Sequence, residues 1–188
     1  MLLAVSTHEG CQPGHGNGPW ETLMHTSIQI ANEIIERGQR SVPPRYFTPM
    51  QLLKLVYLCH GWMLGLYGRP LIKDNVEAWK YGPVIPDLYH QIKSYRDSPV
   101  TSKISTWWGA HADAPMDQFE SAIIDQTLAR YGHLSGLQLS QITHAQATPW
   151  SMTFRPDHLG LVISDEVIRD HYQRLYHERT HGIGARTN

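Results

Sequence analysis

The residues with the clearest chemical spacing are His177-Glu178-Arg179-Thr180-His181, which match H-E-x-x-H. On a helix, two histidines at this spacing share one face and can hold zinc, while the intervening glutamate activates a bound water for hydrolysis. The context argues the other way. The motif falls at the predicted end of the last helix, just before Gly182, and only seven residues follow His181, so no third ligand comes downstream in the usual order. Twelve histidines in the chain also make chance spacings common. The competing reading is a solvated helix end, where His and Arg complement the helix dipole. His144 could act as a general base, but no G-x-S-x-G turn or papain-like cysteine supplies a nucleophile for it. It is read as a helix C-terminal residue bonded to nearby backbone. Asp113, Asp117, Glu120 and Asp125 cluster around one helix start, where acidic residues are ordinary surface partners of the dipole. No P-loop, EF-hand or kinase signature occurs. No catalytic set is complete, so no enzyme and no cofactor are expected.

Stepping along the chain, the strongest element is Thr48–Tyr67. Thr48 and Gln51 form a capping box, Pro49 suits the first helical position, and Gly68 suits the left-handed residue after a helix. Leu52, Leu55, Val56, Cys59, Trp62, Met63 and Leu66 share one face, and Leu53, Tyr57, Leu58 and Leu64 make the others apolar as well. A helix apolar on most sides is a core helix. Lys54 and His60 interrupt the run and both ends are capped, so it does not read as a membrane span.

A first helix is predicted over 21–37, with Gly38 as its stop. A short hairpin is predicted around the Asp74-Asn75 turn, with Val76, Ala78 and Lys80 facing one way and Glu77, Trp79 and Tyr81 the other. Gly82-Pro83 then breaks the chain, and Pro86 opens a helix to about Tyr95. Residues 97–115 carry no clean period. They read as a long loop with one short strand at most, and its Trp107-Trp108 pair is either a core anchor or an exposed contact. A helix follows over 117–131 with Phe119, Ile123 or Ile124, Leu128 and Tyr131 inward. Ser135 and Gln138 cap a short helix ending near His144, Thr148-Pro149-Trp150 is a turn or extended break, and Ser164 caps the last helix.

The totals fit this picture. The chain has 188 residues, 41% hydrophobic and 18% charged, with a formal net charge of -1, which suits a single globular domain. The fold class expected is mainly α: one compact helical domain around a buried central helix, with a small β-hairpin. Residues 1–19, rich in Gly and Pro, read as a disordered head or an added extension; 20–180 form the domain; 181–188 form a frayed tail. The two cysteines, Cys11 and Cys59, make no CxxC pattern. With no signal-like h-region at Leu2-Leu3-Ala4-Val5, a reducing cytoplasm is the expected location. The charge balance gives no footprint for nucleic acid.

Several segments together resemble the Panacea domain family, which includes SocA-like antitoxins and GepA-like phage-associated proteins. They are Leu52-Leu53-Lys54-Leu55-Val56-Tyr57, His60-Gly61-Trp62, Tyr67-Gly68-Arg69-Pro70-Leu71, Ala78-Trp79-Lys80-Tyr81-Gly82-Pro83-Val84-Ile85-Pro86, then Leu139-Ser140-Gln141-Ile142-Thr143-His144 and Pro149-Trp150. Leu53 and His60 depart from the pattern, which commonly has Gln at both positions. The resemblance implies a helical antitoxin domain that binds and neutralises a protein toxin encoded nearby, with delivery to a ClpXP-type protease as one mode of neutralisation. It brings no catalytic residue. Trp79, Tyr81, Gly82, Pro83 and Val84 have two readings. They are either an architectural turn, or a rigid aromatic ledge for a partner, bordered by His144, Pro149 and Trp150. The alternatives to the antitoxin are the zinc hydrolase on His177, Glu178 and His181, and a nucleic-acid-binding regulator of its own operon.

Overall fold

Among the described residues, five helix starts are closed by reciprocal side-chain caps: Thr26 with Gln29, Thr48 with Gln51, Asp117 with Glu120, Ser135 with Gln138 and Thr148 with Ser151. Each satisfies backbone N–H groups that a helix leaves open in its first turn. The computed structural model describes residues 24–105 and 115–181. The helices are α1 (Ser27–Arg40), α2 (Pro49–Tyr67), α3 (Pro86–Ile92), α4 (Gln118–Tyr131), α5 (Gly136–Thr143), α6 (Pro149–Thr153) and α7 (Asp165–His181). Strands β1 (Glu77–Trp79), β2 (Gly82–Val84) and β3 (Leu161–Val162) form an antiparallel sheet in the order β2-β1-β3. The fold is mainly α with a small sheet. The expectations for residues 1–19, for Trp107-Trp108, for Asp113 and for residues 182–188 lie outside the described residues.

Every residue of α2 from Leu52 to Gly65 is buried. Helices α1, α3, α4, α5 and α7 and strand β2 all pack on it, so it is the central helix that its sequence announces. Its closest neighbour is α7. A Cβ on Gly61 would lie 2.2 Å from the Tyr172 ring, and one on Gly65 2.5 Å from the Tyr172 Cβ. Two small residues four apart therefore let the helices approach, and Tyr172 fills the contact, edge-on to Trp62 at 5.0 Å. His60 is fully buried between them. Its Nδ1 faces the backbone N–H groups of Leu71 and Ile72 at 3.3 and 3.4 Å. It must therefore accept, which leaves the proton on Nε2, 3.0 Å from Asp165 Oδ1 at the start of α7. A histidine at this position thus makes polar contacts on both ring nitrogens.

Several sequence expectations are corrected. The first helix starts at Ser27, not near 21, and runs through Gly38 to Arg40. Gly38 is a packing residue: a Cβ there would sit 2.6 Å from the Phe47 ring. The hairpin turn is at Lys80-Tyr81, not Asp74-Asn75, and Gly82-Pro83 belongs to a strand. Leu71 and Ile72 do not pair with β1. They flank His25 through His25 N to Leu71 O and Lys73 N to His25 O, while Asp74 Oδ2 accepts from Ser27 N at 2.5 Å. Thr148-Pro149-Trp150 opens α6 and is not an extended break. Phe119 is 42% exposed and packs on Tyr67, not on the core. The buried residue of that turn is Glu120, whereas Asp117 and Asp125 of the same acidic group are exposed. It accepts from Asp117 N at 2.8 Å and lies 3.1 Å from His25 Nε2. In the loop after α3, Val100 N bonds Phe47 O, and Asn32 clamps both backbone groups of Ile104. Among the described residues, no helix is long and apolar enough to cross a membrane.

Candidate functional site

The β1–β2 hairpin carries five of the eight residues singled out as a partner surface, and its geometry is set from outside. Three alternate carbonyls along its chain each accept a side-chain donor from a different helix. Trp150 Nε1 of α6 donates to Trp79 O at 2.7 Å, Ser140 Oγ of α5 to Tyr81 O at 2.8 Å, and Lys54 Nζ of α2 to Pro83 O at 2.8 Å. Pro83 suits this place because β2 is an edge strand and needs no donor from it. Gly82 has φ 106°, which a residue with a side chain adopts only under strain, and a Cβ there would be 2.7 Å from Lys54 Nζ. Gly82, Pro83 and Val84 are buried. They are the support, and Tyr81 at the turn is the exposed part, 63% accessible.

The remaining residues gather around this hairpin. The Trp79 indole donates to Glu77 Oε2 at 2.7 Å, and its ring meets Tyr89 edge-on. Trp150 stacks on Phe154 with centroids 4.7 Å apart, and His144 meets it edge-on at 5.3 Å. Ser140 gives its single hydroxyl proton to Tyr81 O. His144 Nδ1, 3.2 Å from Ser140 Oγ, must therefore be the donor of that pair. His144 N also bonds Ser140 O at the end of α5, which agrees with the C-terminal role read from the sequence. Pro149 is buried at the first position of α6. Trp79, Tyr81, His144 and Trp150 are thus linked to one another, directly or through Ser140.

Lys54 is the member that sequence reasoning missed. It is 2% exposed, and burial pushes its ammonium down to about 7. The signal was a lysine inside an otherwise apolar helix, next to a glycine-proline segment able to offer it a carbonyl.

A groove with a volume of about 1170 Å3 opens beside the hairpin, between the start of α2, the end of α3 and residues 154–160. It is walled by Leu53, Trp79, Tyr89, Phe154 and Leu159.

The H-E-x-x-H residues lie elsewhere. Helix α7 continues through Thr180 to His181. His177 and Glu178 are exposed, Arg179 lies over the Trp62 ring at 4.9 Å, and the His181 side chain is outside the described residues. Among the described residues, no group of three or more His, Cys, Asp or Glu is placed to hold a metal ion.

The family model described as "Antitoxin SocA-like, Panacea domain" matches residues 52–151. That span contains Lys54, the whole hairpin, Ser140, His144, Pro149 and Trp150. The Antitoxin SocA of Caulobacter vibrioides (strain NA1000 / CB15N) is 31% identical over 153 residues, covering 77% of this chain and 80% of that protein. No solved structure matches the chain.

Proposed function

Because the chain belongs to the SocA-like Panacea domain family, we propose that it is a non-enzymatic antitoxin that binds a protein toxin and neutralises it through the hairpin face. The observation that carries this reading is the pinned hairpin. Three donors from α2, α5 and α6 hold the backbone of residues 79–83, and Tyr81 stands out from it into solvent. An exposed aromatic on a backbone fixed in advance loses little freedom on binding, which is how interface anchors gain affinity. Met50 and Leu159, which line the same groove as Tyr81, are also exposed, so the exposed apolar side chains there are more than one ring.

The toxin is the product of a neighbouring gene in this reading. Co-expression of the two should rescue growth and yield a complex that co-purifies. A neighbour that is harmless alone and forms no complex would remove the toxin reading. Following toxin levels with and without a ClpXP-type protease separates the two modes. Occlusion leaves the toxin abundant and inactive, whereas delivery makes it disappear only when the protease is present.

A further inference from the structure

The groove beside the hairpin has apolar walls and an uneven charge. Lys54, Lys80, Lys93 and Arg96 line it against Glu77 and Asp97, and the Glu77 carboxylate already accepts from the Trp79 indole. Lys54 is the unusual member. Its Nζ makes one hydrogen bond among the described residues, to the neutral carbonyl of Pro83, and no carboxylate of the described residues pairs with it. An ammonium held out of water without a counter-charge is a standing cost, and a carboxylate brought to it from outside relieves that cost. The rim points to a macromolecular ligand. Leu159 is 96% exposed and Tyr81 63%, and both line the groove; large exposed apolar side chains of this kind mark surfaces for macromolecular partners.

We propose that this groove receives a segment of the partner toxin in which an Asp or Glu is flanked by apolar residues. Its carboxylate pairs with Lys54, and its apolar side chains pack between Leu53, Tyr89, Phe154 and Leu159. The identity of the partner rests on the antitoxin reading; the chemistry of the segment rests on the groove. Apolar walls beside a single buried cation select for this pattern, as grooves that bind peptides combine side-chain pockets with one fixed polar contact.

The test uses the full chain and 15-residue peptides tiling the product of the adjacent gene. The expected binders carry an acidic residue between apolar ones. Changing that acid to its amide should weaken binding to the wild-type chain at least tenfold, but to the Lys54→Met chain less than twofold, the coupling that a direct pair produces. Leu159→Glu, at an exposed position, should weaken binding at least tenfold and carries the test if Lys54→Met does not fold. The proposal is overturned if no peptide binds, if the binders lack an acid, if the amide change costs the same in both chains, or if Leu159→Glu has no effect. It is also overturned if the groove takes sodium decanoate in place of peptides, or binds peptides only after residues 1–23 are deleted. A wild-type chain that captures the whole toxin while failing these arms leaves the antitoxin reading standing; a chain that captures no toxin removes both.

Discussion

The indole N–H of Trp150 donates to the carbonyl of Trp79 at 2.7 Å, across 71 positions of sequence. This bond joins the two most distinctive stretches of the chain, the Ala78–Pro86 segment and the Pro149-Trp150 pair. It explains why a tryptophan stands at position 150: the ring stacks on Phe154 while its one donor reaches the hairpin.

Trp150→Phe retains a ring that can stack and deletes the donor. With the Trp79 carbonyl left without this partner, the loss should be about 1–3 kcal/mol. Urea unfolding should show a lower midpoint with an unchanged slope.

Gly82→Ala should cost more than an ordinary glycine substitution, because two penalties coincide. The backbone has φ 106°, and the new Cβ would fall 2.7 Å from Lys54 Nζ. The conformational part alone is about 1–3 kcal/mol. Lys54→Met removes the Nζ and with it the steric part only, so Gly82→Ala should lower the melting temperature less in the Lys54→Met chain than in the wild-type chain, though still measurably.

Lys54 gives a pH dependence with a definite sign. Its ammonium titrates at about 7 when folded, against the ordinary 10.5 when unfolded. Between these values the unfolded chain binds more protons, so this group's contribution to stability rises with pH across that window. The penalty is complete below pH 7 and gone above about 10.5. Lys54→Met removes it, offset by the lost bond to Pro83 O. The variant should be more stable than wild type by about 3 kcal/mol at pH 6 and no more stable at pH 10. Thermal melts at the two pH values check this.

His60→Leu leaves the Leu71 and Ile72 N–H groups without their acceptor and removes the contact with Asp165. A loss of about 2–4 kcal/mol is expected. His60→Gln can both accept and donate there and should cost less than half as much in the same unfolding measurement.

The parts of the fold that were legible in the sequence are those decided locally. Thr48 with Gln51 and Ser135 with Gln138 announced their helices because a cap needs only residues three apart. The apolar circumference of α2 announced its burial. The hairpin register was not legible. Asp74-Asn75 has turn chemistry, but Asp74 spends it on the start of α1, and β1 takes its second neighbour from Leu161–Val162 far along the chain. Gly38 looked like a stop because a glycine after a helical run reads the same whether it ends the helix or admits the Phe47 ring. The eight candidate residues could be named from the family pattern, yet what holds the hairpin could not. Lys54 and Ser140 reach the hairpin through backbone carbonyls, and a carbonyl acceptor leaves no mark on residue type.

The most direct measurement is calorimetric titration of the adjacent gene's product into the wild-type chain and into Tyr81→Ala. Tyr81 is exposed, so the substitution should leave the melting temperature unchanged. If the hairpin face neutralises the toxin, the wild type binds and Tyr81→Ala binds at least tenfold more weakly, about 1.4 kcal/mol. Equal affinity of the two chains, or no binding by the wild type, would contradict the account.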